Sequence, residues 1–302
     1  MQWQKSVTQE QGSTAIYITL QAEGEHLSIL KELKEIPKLT GELGSIDPDS
    51  HLSSSISFGS DFWNKISPDK KPKLLKNFEA IKGNPTSAVA TGGDIFIHLK
   101  SNRQDLSFEL AQRIKRLLGP LVSLMDESHG FTYLDSRDLT GFIDGTANPE
   151  GTEREAVALI GEEDPDFAGG SYLLTQKYHH TMGEWEKLSV KDQEHIIGRA
   201  KKDSEFLRGE RQKEYSHVSR AETHVGDFEL KIVRHSLPIG NAMSEKGLFF
   251  IAYAKEITTF DLMLARLYGT SGDGVSDKLL EYTKAITGAY FFTPSMDLLA
   301  NI

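Results

Sequence analysis

Strand and helix patterns run through this chain twice in the same order. In the first half, a β-branched, apolar run at Thr14 to Leu20 precedes a helical pattern from Glu25 to Ile36 that Pro37 stops. Strands follow at Leu52 to Phe58 and Asp94 to Leu99, then a helix at Leu106 to Leu118 closed by Gly119-Pro120, then a strand at Val122 to Met125. The second half repeats the order: strand Ser171 to Tyr178, helix Gly183 to Ile197, strands Phe228 to Arg234 and Leu248 to Ala254, helix Thr259 to Tyr268, and a last strand near Ala289 to Phe292. A β-α-β-β-α-β order met twice confines the chain to the α+β class. It implies two split β-α-β, ferredoxin-like units, each an antiparallel sheet with helices on one face. The repeats part at a Glu-, Gly- and Pro-rich stretch from Asn148 to about Asp166, which sets the domains at 1–150 and 151–302.

With 302 residues, 38% apolar and 26% charged, the chain can bury a core and still enclose a cofactor-sized cavity. A net charge of −10 excludes a broad nucleic-acid surface, because phosphate binding needs clustered cations. The basic run Arg113-Ile114-Lys115-Arg116 sits at helical spacing beside acids and reads as a solvated helix face. No apolar run approaches the roughly 20 residues a membrane-spanning helix needs; the longest, Gly247 to Ala254, reads as a buried strand. The first twenty residues lack an apolar leader, so a cytoplasmic location is expected. With no cysteine there is neither a disulfide framework nor a thiolate metal ligand.

Chemistry concentrates in three places. Gly141-Phe142-Ile143-Asp144-Gly145-Thr146-Ala147-Asn148-Pro149 holds one carboxylate on irregular backbone at the junction of the halves, a location ligand sites favour. Ser216-His217-Val218 offers an imidazole, and Lys231 to Pro238 places Arg234 and Ser236 two apart, on one side of an extended strand. His235 between them would point away and reads as a surface histidine. The adjacent His179 and His180, and His224 in a polar loop, compete with His217, and the residues alone leave that choice open.

Taken together, Asp138-Leu139-Thr140-Gly141-Phe142-Ile143-Asp144-Gly145-Thr146, Ser216-His217-Val218 and Ile232-Val233-Arg234 before Ser236-Leu237-Pro238 resemble the dye-decolorizing peroxidases. Trp185-Glu186-Lys187-Leu188, Gln193 to Arg199, and Thr287 to Ser295 add to the likeness, which is densest from residue 130 onward. The resemblance implies a duplicated ferredoxin-like fold of the dimeric α+β barrel type. It implies one non-covalent haem b in the C-terminal half, and H2O2-dependent oxidation of dyes, phenols and other small one-electron donors. It makes His217 the iron ligand and sets Asp144 and Arg234 on the peroxide side, with Ile143, Gly145, Thr146 and Ser236 lining the haem. Asp277 is the candidate acceptor for the second ring nitrogen of His217, with a helix N-cap as its competing reading. Tyr133, Tyr215, Tyr253 and Trp185 are candidates for carrying electrons to bulky donors. A homo-oligomer is expected, without nucleic-acid or membrane partners.

Two other readings are open to the same residues. Phe-Ile-Asp-Gly-Thr is close to a phosphatase Asp-x-Asp-Gly-Thr loop, but Phe142 stands where the nucleophilic aspartate would be. A haem carrier or iron-releasing protein on this fold would need His217 but not the Asp144 and Arg234 pair.

Overall fold

The computed structural model describes residues 2–302. The first half runs β1 (Thr14–Ala22), α1 (His26–Leu33), α2 (Ile36–Gly44), β2 (Ser53–Phe58), α3 (Ser60–Ile66), β3 (Ile95–Ser101), α4 (Gln104–Leu118) and β4 (Val122–Phe131). The second opens with α5 (Thr152–Ala158), β5 (Ser171–His180), α6 (Met182–Trp185), α7 (Val190–Ile197) and α8 (His217–Ala221). It continues with β6 (Val233–Arg234), β7 (Leu237–Gly240), β8 (Lys246–Ala254), α9 (Ile257–Leu267), β9 (Thr283–Ala285), β10 (Ala289–Thr293) and α10 (Met296–Asn301).

These strands form one ten-stranded antiparallel sheet that closes on itself. Strands β6 and β7 lie end to end along β8, and β9 and β10 along β5. In each half the strands, counted in chain order, stand side by side as fourth, first, third, second. The halves meet at two narrow seams, Phe58 opposite Phe292 and Ile239 opposite Gly130.

Closure gives the central strands two buried faces. Along β1, Ile16, Ile18 and Leu20 face outward and pack with Leu30, Leu33, Leu110 and Ile114 of the covering helices. Ala15 and Tyr17 face inward with Phe96, Leu173, Phe249, Ile251 and Phe291. Tyr17 stacks on Phe249 with ring centroids 4.1 Å apart. Both faces being buried explains why the strands read as near-continuous apolar runs.

The barrel interior is also polar. His98, Lys100 and His235 are buried there. Lys100 Nζ donates to Gln9 O at 2.7 Å and lies 3.3 Å from His235 Nδ1, and His235 Nε2 is 2.9 Å from Val7 O. His235 is therefore an interior residue and not the surface histidine expected. Its backbone differs from an ordinary ladder as well. His235 N–H donates to Ile251 O, but the His235 carbonyl accepts from the Tyr17 hydroxyl at 2.9 Å, and Ile251 N–H donates instead to Ser236 Oγ at 3.2 Å.

Several element boundaries depart from expectation, among them the strand expected over Val122 to Met125, which runs on to Phe131. Pro37 does not end the helical stretch; it occupies the first turn of α2, where its missing N–H is no loss. The helix expected over 183–197 is two helices, because Ser189 takes extended backbone and caps α7 by accepting from Asp192 N–H. The strand expected over 228–234 is confined to Val233–Arg234, since Phe228-Glu229 turns back to pair with His224-Val225 around Gly226.

Two expected outcomes follow from the interior. Burial, reinforced by the Lys100 charge, pushes the His98 imidazole well below 6.5, and burial with Lys100 and His98 does the same to His235. Both stay neutral in the fold while the unfolded chain takes up protons below about pH 6.5, so stability falls with pH there by up to about 1.4 kcal/mol per unit for each. Unfolding free energies of His98→Phe measured between about pH 5 and 6.5 will fall less steeply than those of the parent; an equal slope would show that His98 is not held neutral. Tyr17→Phe leaves the His235 carbonyl without its donor and will cost about 1–3 kcal/mol in urea unfolding.

Candidate active site

His217 is the first residue of α8, directly after the cap Ser216, whose side chain accepts from Ser219 N–H. Gly198 ends α7 in the left-handed region at φ +92°, and a Cβ there would lie 2.9 Å from Ser216 Oγ and 3.1 Å from Val218 Cβ. Only glycine fits both the turn and the approach, so α7 closes against the backbone on either side of His217.

The His217 ring is fixed by Asp277. Nδ1–H donates to Asp277 Oδ2 at 2.6 Å, and the carboxylate is 1% exposed. The other oxygen, Oδ1, accepts from Leu279 N–H at 2.8 Å, capping a short helical turn at Lys278–Glu281. Asp277 thus fills both roles the sequence left in competition. Burial pulls the His217 imidazole down, but the charge and hydrogen bond of Asp277 outweigh it and raise the imidazole above 6.5. With Nδ1 taken, Nε2 has no hydrogen-bond partner among the described residues, while the side chain is 35% exposed.

The Arg234 charge lowers the His217 imidazole and the Asp144 charge raises it, each by less than Asp277 does. Arg234 Nη1 donates to Asp144 Oδ1 at 3.3 Å, and Gly145 N–H donates to the same oxygen at 2.6 Å. Among the described residues nothing donates to Asp144 Oδ2. The loop carrying Asp144 is held at several points. Phe142 is buried against Trp185, Trp185 Nε1–H donates to Thr140 O at 2.9 Å, and Arg137 donates to Gly141 O at 2.8 Å. Gly145 takes φ +80°, which turns the chain away directly after the carboxylate.

Asn148 joins this loop to the strand of Arg234. Its Oδ1 accepts from Arg234 N–H at 2.8 Å and its Nδ2 donates to Arg234 O at 2.9 Å. The side-chain amide thereby does what a neighbouring strand would do for the open edge of β6. In the sequence Asn148 marks only the start of the stretch that parts the repeats. The pattern carries no hint of a partner 86 residues away.

The other expected site residues are placed as follows. Ile143 is half-buried in a bridge to Arg137, and Gly145 and Thr146 are exposed beyond Asp144. Ser236 stands in register two residues past Arg234, but its oxygen is engaged with Ile251 N–H, which leaves its own proton to offer. His179 and His224 are exposed, and His180 is buried between Thr283 Oγ1 at 2.8 Å and Asp138 Oδ1 at 3.1 Å. None of the three has the carboxylate-backed, half-open setting of His217. Of the aromatic candidates, Trp185 and Tyr253 are buried in packing, and Tyr133 and Tyr215 are half-buried.

Among the described residues no helix is long and apolar enough to cross a membrane. Two family models match the chain: Dyp-type peroxidase, N-terminal, over residues 4–132, and Dyp-type peroxidase, C-terminal, over residues 135–298. A dye-decolorizing peroxidase of Mycobacterium tuberculosis is 39% identical over 283 residues, covering 93% of this chain and 84% of the relative. A dye-decolorizing protein from V. cholerae superposes with a TM-score of 0.93 at 39% identity, covering 99% of each chain. A Rhodococcus jostii RHA1 DypB variant solved in complex with haem gives a TM-score of 0.94 at 37% identity, covering 97% of this chain and 96% of that one. More distant relatives, at 23% identity, are named deferrochelatase. Models matched across both halves and relatives more than a third identical over nine-tenths of the sequence make this chain a member of the Dyp-type peroxidase family.

Proposed function

We propose that His217 would hold the haem iron through Nε2, and that Arg234 and Asp144 act on the H2O2 with which the protein oxidises dyes, phenols and similar one-electron donors. The family is one of haem peroxidases, oxidoreductases that use peroxide. The observation that carries the residue assignment is the convergence on one region of a carboxylate-backed imidazole with a free nitrogen and a guanidinium–carboxylate pair. That donor set fits haem: a neutral Nε2 is a haem-iron ligand, and the Asp277 hydrogen bond at Nδ1 makes the imidazole more electron-donating. When bound, haem supplies the redox centre that takes electrons from the donors.

The chain's own contribution is proton and charge management. Asp144 Oδ2 is the open oxygen, suited to take a proton from one peroxide oxygen and return it to the other. The Arg234 guanidinium offsets the negative charge that grows on the peroxide. Because Asp144 Oδ1 is already bonded to Arg234 and Gly145, the carboxylate cannot swing away from this task. A carrier or iron-releasing protein has no use for such a pair, which favours peroxide chemistry. The matching strand order in the two halves supports a duplicated ferredoxin-like architecture, with residues 1–150 and 151–302 as its units.

Stopped-flow mixing of the haem-loaded protein with H2O2 tests the assignment. Arg234→Leu removes the fixed charge, for which water is a poor substitute, and will slow the peroxide reaction about 100- to 1000-fold. Asp144→Asn will slow it less, because a water molecule can relay the proton. Unaltered rates in both would remove the pair from the mechanism. Asn148→Ala will destabilise the fold by about 1–3 kcal/mol through the unpaired edge of Arg234, and will also slow the peroxide reaction. A loss of stability with an unchanged rate would show that the edge contact does not set the guanidinium.

A further inference from the structure

Arg220 lies one turn beyond His217 on α8 and is 2% exposed, an unusual place for a guanidinium. Its Nη1 is 2.8 Å from Asp273 Oδ2, and its Nη2 donates to Asp273 Oδ1 at 3.2 Å and Ser271 Oγ at 3.3 Å. Nε and Nη2 also donate to Arg266 O at 3.1 and 3.0 Å. Arg266 returns the contact, donating from Nη2 to Ser219 O at 2.9 Å and from Nε to Arg220 O at 3.3 Å. The end of α8 and the end of α9 are thus joined by two arginines that each satisfy the other's backbone.

The segment that follows α9 carries Asp277. It contains Gly269, Gly272 and Gly274, all at positive φ, so its backbone has little stiffness of its own. Asp273 organises it, with Oδ1 accepting from Val275 N–H at 3.1 Å and from Ser271 Oγ at 3.0 Å. Hydrogen bonding from Arg220, with the Val275 N–H, holds the Asp273 carboxyl down to about 2, so it is charged at any working pH. Two residues of α8 therefore hold this segment, Arg220 through Asp273 and Ser271, and His217 through Asp277.

We propose that Arg220 and Asp273 are positioning residues for His217: their ion pair fixes the glycine-rich segment against α8, and so sets the length and direction of the Nδ1–H···Oδ2 bond from His217 to Asp277. The bidentate pair cannot slip without stranding a buried guanidinium, and among the described residues the side-chain ties from α8 to this segment are those of Arg220, to Asp273 and Ser271, and that of His217. The pair acts on the imidazole only through Asp277. This inference rests on the proximal role proposed for His217.

The test compares Asp273→Asn, whose partly exposed side chain makes it a mild substitution, with Arg220→Lys and with Asp277→Asn as reference. In the haem-free protein, the low-field proton NMR signal of His217 Nδ1–H reports the hydrogen bond directly. In the haem-loaded ferrous protein, the iron–histidine stretch in resonance Raman reports its consequence. Asp273→Asn and Arg220→Lys are expected to move the proton upfield and lower the stretching frequency, in the direction of Asp277→Asn and by less. The peroxide reaction is expected to slow about tenfold. A thermal midpoint that falls while proton and stretch stay at parent values would overturn the proposal and make the pair a structural tie only. If Asp277→Asn itself changes the haem-free proton signal but not the iron–histidine stretch, the assignment of His217 as the iron ligand fails and the proposal fails with it; a changed reference with an unchanged Asp273→Asn defeats the proposal alone.

Discussion

Closure of the sheet is the constraint on which the rest of the molecule depends. Each half is an open antiparallel sheet with two edges, and those edges are taken up at the seams by the opposite half. Once the sheet closes, residues on the inner faces of β1, β3 and β8 lose access to water together. Lys100, His98 and His235 must then find partners inside the barrel, and the partners come from backbone carbonyls near the N-terminus and from tyrosine hydroxyls. The arrangement around His235 is the sharpest result. One ladder carbonyl is given to Tyr17 and one ladder N–H to Ser236, in the stretch that directly follows Arg234.

The site is assembled from segments that the closed sheet and its covering helices bring close. Arg234 comes from a strand, Asp144 from the irregular junction between halves, His217 from a five-residue helix and Asp277 from the segment after α9. Regular structure fixes only the first of these. The others rest on specific polar contacts, which is why glycines with left-handed backbone sit at their turns and why buried arginines and amides surround them. Arg154 illustrates the same economy. Buried under the junction, it donates to Pro149 O at 2.8 Å and pairs with Glu10 at 2.9 Å, joining the loop of Asp144 to the N-terminal segment.

What could be read beforehand follows from how each residue acts. Periodicity located the main strands and helices because burial on one or both faces leaves a regular apolar trace. Asp144, Arg234, His217 and Asp277 were named through the family resemblance, the residues alone leaving the choice among the histidines open. Asn148, Arg220 and Asp273 were not, since each works through one partner distant in sequence and leaves no period or spacing behind. His235 was misjudged because a polar residue in a strand reads as solvent-facing unless the opposite face is known to be enclosed. The split at Ser189 was missed because Leu188 and Val190 extend an apolar pattern across a capping residue whose backbone is extended.

The two-point grip of Asn148 on the Arg234 backbone has a mechanical consequence. The carboxylate and the guanidinium belong to segments distant in sequence, yet the amide makes them travel as one body, so small displacements of the junction carry both along and leave their separation unaltered. The spacing of the two charged groups is thereby set by the amide and the loop together and not by either segment alone.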